Sequence, residues 1–176
     1  MQRYGSFLYW QNIWWKFFGL PPAFKHAFQF KAKPLFHFVC RHFPSQLLLK
    51  RSHPFVYEPA RVDVAEKSGS DLFLSIHCNA STDRSVGGYS TYYTPKTPYD
   101  KKLADALQKE LMQTADVTDR GIFDSRLYVN RKSTMPSALV ECLFMTNARE
   151  EQMLLSDAFL DKIAEAIARG IEQFEG

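Results

Sequence analysis

Asp71-Leu72-Phe73-Leu74-Ser75-Ile76-His77 is the stretch whose reading decides the fold. Residues 72–76 are almost wholly apolar, too few for a helix of ordinary length and without polar alternation. That is how a strand buried on both faces of a parallel sheet reads. A second run of the same kind, Ser137-Ala138-Leu139-Val140-Glu141-Cys142-Leu143, follows Pro136. Between them Gly87-Gly88 marks a turn, and Tyr89-Ser90-Thr91-Tyr92-Tyr93-Thr94 is rich in β-formers, which predicts another strand. Pro98 to Thr114 reads as a helix, because Leu103, Leu107 and Leu111 recur every four residues as one apolar stripe. Asp116 to Asp124 is polar, carries Gly121 and reads as an exposed loop, and Leu127-Tyr128-Val129 as a short strand. Residues 60–68 suit a short helix stopped by Gly69. Asn147-Ala148-Arg149-Glu150 has capping-box spacing and opens a helix. A last helix over Asp157–Phe174 shows Leu160, Ile163, Ile167, Ile171 and Phe174 on one face. Strands alternating with helices give an α/β class, a mainly parallel sheet flanked by helices. In such sheets the chemistry sits beyond the carboxyl ends of the strands, where His77 and Glu141 fall.

Upstream of this region the composition changes. The chain has 176 residues and a net charge of +3, which is mild and does not by itself call for nucleic acid. Residues 1–58 hold eight Lys/Arg against one acid, Glu58, together with 16 of the 26 aromatic residues and four of the five histidines. From residue 59 onward there are 14 Lys/Arg and 18 Asp/Glu, so a charge of about +7 gives way to about −4. One folded domain rarely switches composition so sharply. A boundary near Pro59 is expected, with 1–58 an atypical aromatic, basic segment, not necessarily natively folded, and 59–176 the functional domain. Arg3 followed by Phe7-Leu8-Tyr9-Trp10 hints at a leader, but Gln11, Asn12 and Lys16 interrupt the apolar run. No stretch reaches the roughly 20 apolar residues of a spanning helix. The three cysteines, Cys40, Cys78 and Cys142, are widely spaced with no CxxC pair, so they read as buried residues or free thiols rather than a zinc ribbon or disulfide framework.

Two residues carry the chemical reading. His77 ends an apolar strand, where a neutral imidazole is a common metal ligand; a hydrogen-bonded structural histidine is the alternative. Glu141 is a carboxylate in a run so apolar that burying it is costly unless it is paired. Low-dielectric surroundings would raise its pKa into a range useful for proton transfer; a structural pairing with Arg131 or Lys132 is the alternative. Together they suggest metal-assisted hydrolysis, in which a bound Zn2+ lowers the pKa of its water and Glu141 takes the proton. Ser75 reads as a strand residue, with no base in view to make it a nucleophile.

The segment Asp71-Leu72-Phe73-Leu74-Ser75-Ile76-His77-Cys78-Asn79-Ala80 resembles the "aDlFiSIHaNa" segment of the zinc-dependent N-acetylmuramoyl-L-alanine amidases. Gly87-Gly88-Tyr89-Ser90-Thr91-Tyr92-Tyr93 is similar to that family's "GxetyY" strand. Leu127-Tyr128-Val129 and then Met135-Pro136-Ser137-Ala138-Leu139-Val140-Glu141-Cys142-Leu143-Phe144-Met145-Thr146-Asn147 are similar to "lyVlr…mPavLvEtgFlsN". The motifs come in the family's order. The resemblance implies hydrolysis of the amide between N-acetylmuramic acid and L-alanine of peptidoglycan, with His77 as the third zinc ligand and Glu141 as the catalytic glutamate. It implies no role for Asn79.

The departures are as informative. The family's first zinc ligand comes from a "DPGHGG" loop and its second is a glutamate opening the next helix. No His-Gly-Gly occurs in this chain and no Glu precedes Glu58. His53 and Glu58 offer the right residue types in a context unlike the family's, and His26, His37 and His42 show no ligand-like pattern. The first strand and helix of the family fold are therefore expected to be missing or replaced, which leaves a strand edge and apolar faces to be covered. Two readings stay open: an amidase acting in the periplasm or cell wall, or an inactive or truncated relative that at most binds cell-wall glycopeptide. The form of peptidoglycan cut and any regulatory protein partner are not legible.

Overall fold

The computed structural model describes residues 36–41, 46–51, 58–68 and 70–175. Six strands form one sheet: β1 (Phe36–Arg41), β2 (Gln46–Arg51), β3 (Leu72–Asn79), β4 (Tyr89–Tyr93), β5 (Asp119–Asp124) and β6 (Ser137–Phe144). The helices are α1 (Glu58–Ser68), α2 (Pro98–Leu111), α3 (Tyr128–Lys132), α4 (Ala148–Leu154) and α5 (Asp157–Glu175). No helix among the described residues is long and apolar enough to cross a membrane. The leader-like stretch of residues 3–10, and His26, His42 and His53, lie outside the described residues.

The strand order is β2-β1-β3-β6-β4-β5. From β3 to β5, β3 with β6 and β4 with β5 are parallel, while β6 with β4 is antiparallel. This is the mainly parallel, helix-flanked sheet that the alternating pattern predicts. The reversal follows from the connections. Residues 80–88 leave β3 and enter β4 without a helical crossover, so β4 runs back; β4 to β5 passes through α2 and stays parallel. At the other side β1 pairs antiparallel with both β2 and β3. The edge of β3, expected to need a cover, is thus taken up by a hairpin from the aromatic, basic segment.

Strand alternation splits β3 between two cores. Leu72, Leu74 and Ile76 join Ala138, Val140 and Cys142 of β6 beneath the α2 leucines Leu103, Leu107 and Leu111 and the α5 residues Ile163, Ile167 and Ile171. Gly170 lets these helices close: a Cβ there would stand 3.0 Å from Leu107 Cα. On the opposite face Phe73 packs with Val62 and Ala65 of α1, Val129 and Met135. Burial on both faces is why the β3 run lacks polar alternation.

Two local expectations are corrected. Leu127-Tyr128-Val129 is not a strand; Tyr128–Lys132 is one helical turn. Its Asn130, fully buried, donates from Nδ2 to the Tyr92 carbonyl, and Lys96 Nζ donates to the Asn130 carbonyl. Three apolar residues are too few for periodicity to separate strand from turn, and these side-chain anchors settle it. The polar stretch 116–124 is not wholly a loop, because Asp119–Asp124 pairs with β4 as the sheet's edge. An edge strand carries polar residues without burying them, and its register shifts near Gly121, whose φ is +83°.

Candidate active site

β3 and β6 run side by side and in parallel register, with His77 opposite Glu141. The pairing places both on the face that carries Phe73 and Leu139, opposite the α2 and α5 core, in the carboxyl-terminal halves of their strands. Sequence reasoning picked both residues for separate reasons; the register brings them together.

His77 is half-buried, and its Nε2 lies 2.8 Å from Ser75 Oγ. Ser75 is therefore more than a strand residue: it is fully buried, and its hydroxyl fixes the imidazole two residues along. Burial, and then the positive charge of Arg61 on α1, lower the His77 pKa from 6.5 to about 4. The ring is neutral at physiological pH, the form that donates a lone pair.

Glu141 is also half-buried, and burial pushes its carboxyl up from 4.5 to about 7. Its Oε2 is buried without a hydrogen-bond partner. Among the described residues no ion pair joins Glu141 to Arg131 or Lys132, the structural alternatives; the Arg131 guanidinium stacks 5.6 Å over the Tyr128 ring. A carboxyl that titrates near neutrality with a free oxygen can accept a proton and return it. On its other side Glu141 faces Ser90 of β4. Ser90 is fully buried and its Oγ also lacks a partner.

The cysteines stand behind this face. Cys142 belongs to the core and Cys78 packs against it; both are free. Burial, and then the nearby Glu141, push the Cys78 thiol up to about 12, and Cys142 is raised as well. Neither offers a thiolate at neutral pH. Asn79 turns its Oδ1 to the Ala80 N–H at 2.8 Å.

Glu150, almost fully buried, holds the frame around Glu141. Its Oε1 accepts the Gly88 N–H and its Oε2 the Phe144 N–H, each at 2.7 Å. One carboxylate thus ties the start of β4 to the end of β6, where Leu143 takes a left-handed φ of 68°. Gly87 leaves room for it, since a Cβ there would sit 2.4 Å from Oε1. The capping-box spacing pointed to the right residues and half the bonds. Asn147 does cap α4, accepting from the Arg149 and Glu150 N–H groups, but Glu150 reaches outward to the sheet. Ser90 and Arg61 carried no sequence signal, since a serine in a strand and an arginine on a short helix are ordinary.

Among the described residues, no group of three or more His, Cys, Asp or Glu side chains is placed to hold a metal ion. A catalytic zinc takes about three protein ligands. His77, neutral and beside an unpaired carboxyl oxygen, has the chemistry of one ligand, but the described residues do not complete the set.

Residues 41–173 match the family described as N-acetylmuramoyl-L-alanine amidase (Amidase_3). The chain is 40% identical over 126 residues to the N-acetylmuramoyl-L-alanine amidase LytC of Bacillus subtilis (strain 168), covering 70% of this chain and 25% of that protein. The chain therefore spans only about a quarter of that relative's length. Among solved structures, the N-acetylmuramoyl-L-alanine amidase AmiC2 of Nostoc punctiforme superposes with a TM-score of 0.67 at 34% identity, covering 74% of this chain and 72% of that one. An N-acetylmuramoyl-L-alanine amidase from Clostridium difficile 630 gives a TM-score of 0.65 at 33% identity, covering 68% and 66%. Together with the sheet order and the in-register His77 and Glu141, these matches show that the chain belongs to the N-acetylmuramoyl-L-alanine amidase family.

Proposed function

We propose that this chain hydrolyses the amide bond between N-acetylmuramic acid and L-alanine in peptidoglycan, outside the cytoplasmic membrane of a bacterium, with residues 59–176 as the functional unit. The observation that carries the proposal is the in-register pairing of His77 with Glu141, whose carboxyl is raised to about 7. In this reading Glu141 is the catalytic group: it takes a proton from the attacking water and gives it to the leaving amide nitrogen. General acid–base transfer of this kind contributes roughly 10²–10⁴-fold. Ser75 holds the ring of His77, and Glu150 ties the start of β4 to the end of β6, the strand that carries Glu141.

The family resemblance implies zinc, with His77 as one ligand. The described residues lack the two further donors that a catalytic centre needs. That gap also favours a second reading, an inactive or truncated relative that binds cell-wall glycopeptide without cutting it. Zinc per chain after loading, measured on the whole protein beside His77→Ala, separates the two. About one zinc, lost on substitution, together with release of L-alanyl peptide from muramyl peptide, is the result expected of an amidase. No bound zinc and no release would leave the second reading.

A further inference from the structure

We propose that Cys78 and Cys142 become joined by a disulfide when the chain folds in an oxidising compartment, tying β3 to β6 at the residues that follow His77 and Glu141. The inference rests on the hydrolase reading for its setting outside the cytoplasmic membrane, where disulfides form and persist.

Three cysteines allow three pairs, and the sheet register selects one. Cys40 stands opposite Leu72, at the far end of β3. From Leu72 to Cys78 the strand runs about 20 Å. A disulfide needs Cα atoms within about 7 Å of each other, so Cys40 reaches neither of the others in this fold. Cys78 and Cys142 are neighbours. His77 pairs with Glu141 and Asn79 with Phe144, so one residue of β3, Cys78, stands against two of β6, Cys142 and Leu143. This is a bulge, and Leu143 takes its left-handed φ of 68° there. Cys142 lies in the α2 and α5 core and Cys78 packs against that core, so both lie on the face away from His77 and Glu141. Burial, and then the neighbouring Cys78, raise the Cys142 thiol, which fits two thiols side by side. Neighbouring strands lie about 4.8 Å apart, inside the roughly 4.4–6.8 Å of Cα separation that a disulfide spans.

The bond would hold a place where the ladder is interrupted. The β3–β6 register shifts after His77, and beyond the shift the Met145 N–H donates to the Asn79 carbonyl at 2.9 Å. Glu150 braces β6 against β4 at this level; a Cys78–Cys142 bond braces β6 against β3. The loop it closes, from 78 to 142, is long, and long loops gain most from a cross-link.

Burial keeps both thiols protonated in the folded chain, so the exchange belongs to the folding chain, where a thiol has its ordinary pKa of about 8.5. The Cys78 thiolate attacks one sulfur of a disulfide oxidant, breaks that S–S bond and expels one thiol. The Cys142 thiolate then attacks Cys78 Sγ in the mixed disulfide, forms the internal bond and expels the second thiol. Two S–H groups become one S–S bond, and the oxidant leaves as two thiols that carry off the two electrons and two protons.

The test refolds the whole chain from urea in a mixture of oxidised and reduced glutathione, then counts free thiols under denaturing conditions and maps the linked peptides by mass spectrometry. Wild type should keep a single free thiol, on Cys40, with the peptides of Cys78 and Cys142 linked; Cys40→Ala should keep none. The oxidised wild type should melt roughly 10 °C above the same protein reduced with a phosphine. Cys78→Ala should show no internal bridge and the same melting temperature in both buffers. Wild type and Cys40→Ala carry the result, so it does not depend on a substitution in the core. Three free thiols after oxidative refolding overturn the proposal, as does a bridge through Cys40, a chain linked to a second copy, or a bridge that fails to raise the melting temperature. The thiol count involves no substrate. If muramyl peptide is hydrolysed by a chain that keeps three thiols, the bridge falls and the activity stands. If the bridge forms and nothing is hydrolysed, the activity falls and the bridge stands.

Discussion

Glu150→Ala should destabilise the protein more than any helix-capping loss could. The carboxylate accepts two backbone N–H groups at 2.7 Å, from Gly88 and Phe144, and the residue is 5% exposed. Removing it leaves two buried donors unsatisfied, each at about 1–3 kcal/mol. The expected loss is about 3–5 kcal/mol, a large fraction of the roughly 5–15 kcal/mol that holds a domain together. Glu150→Gln keeps one acceptor but turns an amide nitrogen toward the other N–H, so about half that loss is expected. Asn147→Ala is the comparison: it removes the N-cap of the same helix, and two long bonds from Nδ2 to the Ser85 and Val86 carbonyls, but leaves both oxygens of the Glu150 carboxylate on their donors, and should cost about 1–2 kcal/mol. Urea denaturation followed by circular dichroism, with all four proteins fitted to a shared slope, gives the differences. A Glu150→Ala loss no larger than that of Asn147→Ala would refute the clamp. It would mean that water serves the two N–H groups and that the β4–β6 frame does not depend on this residue.

The pH dependence of stability in chelator-treated protein is a second check. Burial raises Glu141 from 4.5 to about 7, so the stability linked to it is fully present below 4.5 and is lost as pH rises through about 7. Burial, then Arg61, lowers His77 from 6.5 to about 4, so its share is present above 6.5 and lost as pH falls through about 4. The slopes oppose each other between 4.5 and 6.5. Glu141→Gln should therefore unmask a stability that climbs with pH in that window, and His77→Ala one that falls; denaturation midpoints that track wild type in both variants would contradict these environments. Gly88→Ala places a Cβ 2.1 Å from the Thr118 carbonyl at a φ of +106°, and should cost at least about 2–3 kcal/mol by thermal melting.

The sheet was legible because its two central strands are buried on both faces, and nearly unbroken apolar runs such as 72–76 and 138–140 follow directly from that. The α2 and α5 stripes were legible for the same reason, as each helix has one side in the core. What escaped was held by side chains rather than by periodicity. Asn130 and Lys96 turn 128–132 into helix, and an edge pairing turns the polar 119–124 into strand. His77 and Glu141 stood out as polar residues closing or interrupting apolar runs. Their pairing needed the register, and Ser90 and Glu150 needed it too. A serine in a β-rich run and a glutamate at a helix start are each unremarkable until the opposite strand is known.

The account turns on Glu141 as the group that moves the proton, and its most direct test is the rate of muramyl-amide hydrolysis by the whole zinc-loaded chain beside Glu141→Gln at matched metal content. The account predicts release of L-alanyl peptide by wild type and a fall of roughly 10²–10⁴-fold in the variant. Equal rates in the two proteins, or no release by wild type, would contradict it.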